Sequence, residues 1–347
     1  MTEIDPNAAA ASASGLYGLS SEPENAQFHV FGVPFEATTS FRMGTARGPA
    51  AILRASHQVE LFDLEFGRPY EAGIAWMGEV EKIAVSNAQA AELARSIREM
   101  REAGEDNSDE LQSKLDQVNE FGAKLNNRIH KLTSITLGLG KTPVFVGGDH
   151  SIPFGAWKAA AEAHPGLGLL QFDAHADLRE AYEGFTWSHA SVMNNALREI
   201  DGITRVVQVG VRDICDEELS LIAAYEDRIR TLFDRDWVSA GDQQRELARD
   251  HIAALPNHFW ITFDIDGLEP MLCPNTGTPV PGGLDWHGIG IWLSEIAKSG
   301  KRVIGIDLVE VAPGNTRPVG SGWDEIIAAR LLYRLIGAAN QTGISHE

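Results

Sequence analysis

The stretch LGLLQFDAHADLR at residues 167–179 decides the fold, because it joins an apolar run directly to a group of charged side chains. Its first part, residues 167–172, has the continuous apolar character of a strand that is covered on both faces of a sheet. Asp173, His175 and Asp177 then follow at intervals of two residues, and alternate side chains of an extended chain point the same way. The stretch therefore predicts a buried strand that ends in a set of converging metal ligands.

Runs of the same character recur along the chain and predict further strands. They begin at Phe28 and continue at residues 142–146, 204–211, 258–263 and 301–309. Helical segments alternate with them, so we predict an α/β fold, a three-layer α/β/α sandwich with a mostly parallel central sheet. Polar motifs follow four of these strands, namely GGDHS, DAHAD, DID and EVAP. Ligand sites in open α/β sheets lie beyond the carboxyl ends of the strands, so these motifs should meet at one edge.

The sequence predicts one domain that carries an N-terminal arm and a helical insert. Residues 1–25 are rich in Ala, Ser, Pro and Glu and predict a flexible N-terminal arm. Residues 26–347 contain no Pro/Gly-rich linker, which favours a single domain. Within that domain, residues 86–137 have apolar positions at helical spacing and predict a helical insert.

Composition excludes several classes of protein. A formal net charge of -20 disfavours a nucleic-acid partner, because it repels phosphate backbones. Cys215 and Cys273 are the only cysteines, so a disulfide framework does not organise the fold. The N-terminus lacks a secretory pattern, and no apolar run reaches the roughly 18–20 residues of a membrane span. We therefore expect a cytoplasmic protein that binds neither membranes nor nucleic acid.

The candidate ligands suit two divalent cations. Packed carboxylates would repel one another, and about four positive charges would relieve that repulsion. A set rich in oxygen, with two imidazoles and no thiolate, suits Mn²⁺, Fe²⁺, Co²⁺ or Ni²⁺ better than a structural zinc. The candidate ligands are His150, Asp173, His175, Asp177, Asp264 and Asp266.

These motifs, in this order, resemble the ureohydrolase family of arginases, agmatinases and guanidine hydrolases. The matching pieces are GGDHS (147–151), DAHADLR (173–179), SHAS (188–191), FDIDGLEP (263–270) and DLVEVAP (307–313). The resemblance implies an arginase-like fold and two metal ions bridged by Asp173 and Asp264. One ion would be held by His150, Asp173, Asp177 and Asp264, and the second by His175, Asp173, Asp264 and Asp266.

The resemblance also implies catalytic roles for three residues. Asp177 would orient a hydroxide between the metals, which attacks the guanidinium carbon. His189 would shuttle a proton toward the leaving amine, although a capping or packing role is the alternative. Glu310 would grip the guanidinium, since a carboxylate suits a planar fork of N–H donors, although a surface loop acid is the alternative.

The residues around the predicted metal site point away from arginine as substrate. Arg179 and Cys215 stand where arginases have an asparagine and an aspartate for the amino-acid end of arginine. Phe185 and Trp187 replace small polar residues and would close the site around a small guanidine, unless they pack in the core. Their context resembles the guanidine hydrolase branch, which is associated with nickel. We therefore expect Ni²⁺ or Mn²⁺ and a small guanidino substrate: guanidine, an N-alkylguanidine or a biguanide such as metformin.

Three alternatives stay open. The chain could be an agmatinase, since agmatinases share DAHAD and SHA and need no carboxylate recognition. It could be a non-catalytic subunit of a ureohydrolase complex, which its full set of candidate ligands disfavours. It could be a single-zinc amide hydrolase of the deacetylase type, which would leave Asp266 unexplained. The resemblance further implies a homo- or hetero-oligomer, a trimer or a hexamer.

Overall fold

The central feature of the fold is one eight-stranded sheet in which every pair of neighbouring strands is parallel. The computed structural model describes residues 14–106, 108–314 and 320–343. The spatial order of the strands is β2-β1-β3-β8-β7-β4-β5-β6. In chain order they are β1 (Phe28–Val33), β2 (Ile74–Glu79), β3 (Thr142–Gly147), β4 (Leu167–Phe172), β5 (Ile203–Val211), β6 (Ile229–Phe233), β7 (His258–Asp264) and β8 (Arg302–Val309).

The predicted strands form the inner part of this sheet. Every residue of β1 and β4 is buried, and β3, β7 and β8 are buried except at their first residues, because helices cover both faces. The two strands that the sequence analysis missed, β2 and β6, are the outermost ones. Both contain partly buried or exposed positions, so their sequences lack the continuous apolar run that identified the others.

Helices pack on both faces of the sheet. Alternate residues of β3 divide between two hydrophobic clusters, with Val144 and Val146 in one and Phe145 in the other. The first cluster contains residues of α1 and α7–α10, and the second is formed with α2–α6, so the predicted α/β/α sandwich is confirmed. The helices are α1 (Gly48–Ser56), α2 (Ile83–Glu102), α3 (Asp109–Gly138), α4 (Phe154–Ala163), α5 (Val192–Glu199), α6 (Asp216–Ala224), α7 (Asp234–Ser239), α8 (Gln244–Ala253), α9 (Trp286–Lys298) and α10 (Trp323–Asn340).

Two long helices, α2 and α3, span the segment in which the sequence predicts a helical insert. Ser108 begins α3 as its N-cap and accepts a hydrogen bond from the Leu111 N–H at 3.1 Å. A third, smaller hydrophobic cluster joins the two helices, and Phe185 from a distant loop completes it. The insert is therefore packed against the loop that precedes His189.

Part of the segment that the sequence predicts as a flexible arm packs against the core in the structure. Leu16 and Leu19 are buried in the core, and the Tyr17 hydroxyl donates to the Ala329 carbonyl at 3.0 Å. Burial of these apolar side chains outweighs the small-residue composition around them. The remainder of the predicted arm, residues 1–13, lies outside the described residues. Within the described part of the chain, no helix has the length and hydropathy needed to cross a membrane.

Candidate metal centre and active site

The candidate ligands converge because four neighbouring strands end at the same edge. In the order β3-β8-β7-β4, these strands lead into His150, Glu310, Asp264 and Asp173 respectively. All four of these side chains are buried. The sheet topology thus brings together residues that are up to 160 positions apart in the sequence, as between His150 and Glu310.

The first ligand group surrounds the imidazole of His150. Its Nδ1 lies 3.0 Å from Asp173 Oδ2, 3.0 Å from Asp177 Oδ2 and 3.4 Å from Asp264 Oδ2. Ligand atoms of His150, Asp173 and Asp177 all lie within 4.8 Å of one another, a spacing that one ion can bridge. The structure therefore brings together the four residues that the resemblance implies for the first metal.

The second ligand group surrounds His175. Its Nδ1 lies 3.1 Å from Asp266 Oδ2 and 3.6 Å from Asp173 Oδ1. Ligand atoms of Asp173, His175 and Asp266 also lie within 4.8 Å of one another. Asp173 belongs to both groups, as a bridging ligand would.

Backbone N–H groups orient these carboxylates. Asp173 Oδ1 accepts from the His175 N–H at 2.7 Å, and Asp264 Oδ1 accepts from the Asp266 N–H at 2.9 Å. The D-x-H and D-x-D spacings thus work locally, since each first carboxylate is held by the backbone two residues later. Asp177 and Glu310 have φ of 53° and 61°, a left-handed conformation that costs a non-glycine residue about 1–3 kcal/mol. Such strain is typical of functional sites.

The electrostatics of the cluster favour cation binding. Burial, reinforced by the charge of Asp173, raises the pKa of Asp177 to about 7. Burial and the charges of Asp266 and Asp173 raise the pKa of Asp264 well above its ordinary range. Divalent cations would stabilise these carboxylates in the ionised form. His150 Nδ1 is buried without a hydrogen-bond partner among the described residues and faces the carboxylates, so the donor set fits two divalent ions.

A second layer of buried polar residues supports the ligands, and sequence reasoning missed it. His150 Nε2 lies 2.8 Å from Thr262 Oγ1, which donates to Asp307 Oδ1 at 2.6 Å. On the other side, Gln171 Nε2 donates to Asp173 Oδ2 at 2.8 Å. A signal was available, because Thr262, Asp307 and Gln171 are polar residues inside otherwise apolar strands.

Glu310 lies beside the cluster, as predicted. Its Oε1 accepts from the His150 N–H at 2.9 Å. A Cβ built on Gly277 would come within 3.3 Å of Glu310 Oε2, so the glycine leaves room beside that oxygen. Glu310 is buried rather than a surface acid, and burial together with the charges of Asp264 and Asp149 raises its pKa well above the ordinary range. A bound cationic group would stabilise its ionised form.

His189 is held by a loop that sequence reasoning did not include, residues 38–40. The Thr38 Oγ1 accepts from the His189 N–H at 3.2 Å, and Ser40 Oγ lies 3.4 Å from His189 Nε2. The buried Asp149 fixes this loop by accepting from Thr38 N and Oγ1, at 3.2 and 2.9 Å. Burial and the positive charge of His175 lower the pKa of His189 to about 4, so its imidazole is neutral at pH 7.

The structure does not place the two predicted aromatic residues around the candidate metal ligands. Phe185 is fully buried in the cluster between α2 and α3, and Trp187 packs on Phe154 of α4 at a centroid distance of 4.9 Å. Phe185 therefore packs in the core, and the partly buried Trp187 packs against α4 and Gly122 of the insert; both placements agree with the core-packing alternative. Arg179 is exposed, with its guanidinium 5.0 Å from the Tyr182 ring centroid.

Comparison with known proteins adds the family. A family model described as the arginase family matches residues 26–337. The chain belongs to the arginase family. It is 34% identical to the N(1)-aminopropylagmatine ureohydrolase of Thermus thermophilus, over 93% of this chain and 94% of that protein. It is 28% identical to an agmatinase of Pyrococcus horikoshii, over 90% of this chain and 92% of that protein.

Solved structures of this arginase-family fold agree with the sheet described above. The agmatine ureohydrolase of Thermoplasma volcanium matches with a TM-score of 0.73 and 24% identity, covering 95% of this chain and 96% of that one. At that identity the likeness concerns the fold. Family membership makes the chain a ureohydrolase, a hydrolase of amidino C–N bonds, and confirms the predicted reaction class.

Proposed function

We propose that this ureohydrolase hydrolyses an amine-ended alkylguanidine of the agmatine type to urea and an amine. The observation that carries the proposal is the buried Glu310 carboxylate beside the two ligand groups. A carboxylate accepts the parallel N–H donors of a guanidinium, and its charge complements that of the substrate. The guanidinium carbon would thereby be directed toward the metal cluster.

Each candidate residue has a definite task in this reaction. His150, Asp173, Asp177 and Asp264 would hold one divalent cation, and His175, Asp173, Asp264 and Asp266 the other. Bound there, Mn²⁺ or Ni²⁺ would supply Lewis-acid activation of water at neutral pH. Asp177 would orient the attacking water, while Glu310 binds the guanidinium. His189, neutral at rest, would take up a proton at its imidazole and deliver it to the leaving nitrogen.

An amine-ended substrate is supported by the rim of the site. Asp213 Oδ2 lies 3.8 Å from His175 Nε2, and the side chain of Asp213 is 69% exposed. This carboxylate is available to a cationic tail that extends outward from the metal cluster. The relatives named for agmatine and aminopropylagmatine also favour this substrate class.

Guanidine or a biguanide such as metformin has less support. That interpretation rested on a resemblance to the guanidine hydrolase branch and on Phe185 and Trp187 as walls of a compact site, and both of these side chains pack elsewhere. Arginine stays disfavoured, because Arg179 and Cys215 replace the partners of its amino-acid end. The small-guanidine interpretation is the second candidate for the test.

A urea-release screen tests the proposal. The purified protein is loaded separately with Mn²⁺ and Ni²⁺ and assayed with agmatine, N(1)-aminopropylagmatine, guanidine, methylguanidine, metformin and arginine. We expect kcat/KM for one of the two amine-ended substrates to exceed that for every other substrate by at least about tenfold, corresponding to about 1.4 kcal/mol. An Asp264→Ala variant is the matched metal-deficient control and should release no urea.

Three results of the screen would contradict the proposal in different ways. A preference for guanidine or metformin would support the second candidate, in which the substrate is a small guanidine. Turnover by a protein with a single bound ion would favour the single-metal hydrolase. Full metal loading without turnover of any substrate would favour a non-catalytic subunit, and size-exclusion chromatography then tests the proposed trimer or hexamer.

A further inference from the structure

We infer that Arg98, on α2, is a positioning residue that holds together the two loops between which His189 lies. The inference rests on the proposed function, in which His189 carries a proton. Arg98 belongs to the helical insert and lies outside every motif of the sequence analysis. Its contacts nevertheless reach both sides of the histidine.

The guanidinium of Arg98 spans two separate loops. Its Nη2 donates to the Thr38 carbonyl at 3.2 Å, and its Nε donates to Glu183 Oε2 at 2.7 Å. The guanidinium carbon also lies 5.5 Å from the centroid of the Phe185 ring. One planar fork therefore joins loop 38–40 to loop 181–185.

Both loops contact His189 directly. From the first loop, Thr38 Oγ1 accepts from the His189 N–H at 3.2 Å, and Ser40 Oγ lies 3.4 Å from Nε2. From the second loop, the Tyr182 ring lies edge-on to the imidazole at a centroid distance of 6.4 Å. A change in the separation of these loops would therefore move the imidazole.

The second loop needs an external restraint. Ala181 and Glu183 adopt φ of 43° and 53°, a left-handed conformation that is strained for a non-glycine residue. Arg101, one helical turn after Arg98, also donates to the Glu183 carbonyl at 2.5 Å. The Arg98–Glu183 pair is about three-quarters buried, and partial burial makes a charge-assisted hydrogen bond stronger than an open surface pair. The insert thus holds the loop in its strained conformation.

The test compares Arg98→Met and Arg98→Lys with a matched control, Arg95→Met. Arg95 is on the same helix, is 60% exposed and pairs with Glu92 and Glu99. We expect Arg98→Met to lower kcat about 10- to 100-fold, because misplacement of a catalytic group by about 1 Å has an effect of that size. KM and metal content should change less than about threefold. Arg98→Lys should recover only part of kcat, since an ammonium lacks the planar fork, and Arg95→Met should keep wild-type kcat.

A second readout does not depend on turnover. Loosening of loop 181–185 should speed cleavage after Glu180 and Glu183 by a glutamate-specific protease in Arg98→Met and leave the control unchanged. If Arg98→Met does not fold, Glu183→Gln removes the same ion pair and should lower kcat to a smaller extent. In this variant only cleavage after Glu180 is compared with wild type, because the substitution removes the cleavage site at residue 183. Wild-type kcat and protease resistance in the folded Arg98 or Glu183 variants would overturn the inference. If the wild type hydrolyses none of the guanidino substrates, the proposed function fails, while the protease sensitivity of loop 181–185 still tests whether Arg98 holds the two loops together.

Discussion

Asp307 should control the metal affinity of His150 without touching a metal. An ionised carboxylate only accepts hydrogen bonds, so Thr262 must donate to Asp307 Oδ1, at 2.6 Å. Thr262 Oγ1 then accepts from His150 Nε2, at 2.8 Å, which places the imidazole proton on Nε2. The Nδ1 lone pair is thereby directed at the carboxylate cluster, where a cation binds.

The substitution Asp307→Asn should reverse the direction of the two hydrogen bonds that link Asp307, Thr262 and His150. Asp307 Oδ2 accepts from the indole N–H groups of Trp157 and Trp260, at 3.2 and 2.6 Å, so the asparagine oxygen must face the two indoles. Its amide nitrogen then donates to Thr262, whose hydroxyl turns to donate to His150 Nε2. The imidazole proton moves to Nδ1 and competes with the metal. Loss of such an outer partner weakens metal binding about 10- to 100-fold, or about 1.4–2.8 kcal/mol.

Competition with a chromophoric chelator measures this effect for Mn²⁺. We expect one of the two ions to bind more weakly, since His150 belongs to one ligand group only. The control is Glu325→Gln, a buried carboxylate that accepts from the Gly322 N–H at 2.8 Å at the start of α10. Equal Mn²⁺ affinities for Asp307→Asn and wild type, with the variant folded, would refute the reasoning about the tautomer. An equal loss of Mn²⁺ affinity in Asp307→Asn and Glu325→Gln would show a general effect of removing a buried charge.

Three further predictions concern the substrate and pH. Glu310→Gln should raise KM about tenfold or more, because it removes a charged acceptor of the guanidinium. Metal content should stay unchanged, since the amide oxygen can still accept from the His150 N–H. Loss of metal instead would place Glu310 in the coordination shell. Asp213→Asn should raise KM for agmatine no more than about fivefold, since this carboxylate is exposed, and leave KM for methylguanidine unchanged. The folded pKa of His189, about 4, lies below the ordinary value near 6.5, so its contribution to stability is complete above that value and is lost as the pH falls toward 4. Urea denaturation at pH 7.0, 5.5 and 4.5 should therefore show that the free energy of unfolding falls less on acidification for His189→Gln than for wild type. An equal fall in both proteins would contradict the lowered pKa of His189.

The convergence of the candidate metal ligands was predictable because it depends on short local spacings and on one rule for parallel sheets. Asp173, His175 and Asp177 follow one strand at a period of two, and Asp264 and Asp266 repeat the pattern after another. Parallel strands bring their carboxyl ends to one edge, so the positions of the strands are sufficient to predict where these side chains meet. The edge strands β2 and β6 were not predicted, because half-buried strands do not carry a continuous apolar run.

The substrate half was not predictable in the same way, since loops from distant parts of the chain determine it. Phe185 precedes His189 by four residues, yet its direction is set by α2 and α3. Nothing in the local pattern distinguishes an aromatic wall of a site from one that packs against a helical insert. The hydrogen bonds of Thr38 and Asp149 to each other are likewise tertiary, at a separation of 111 residues.

This division separates the candidate metal ligands from the loops around His189. The ligands lie on the ends of strands whose positions are fixed by the buried sheet, so substitutions in the loops need not disturb them. Loop 38–40 and loop 181–185 contact His189 and are joined by Arg98 of the insert, and Asp213 lies beside His175. A change in the insert can therefore move His189 and the two loops together while the ligands stay in place. Substrate preference within this fold should accordingly follow the insert and the loops it holds, rather than the motifs that identify the family.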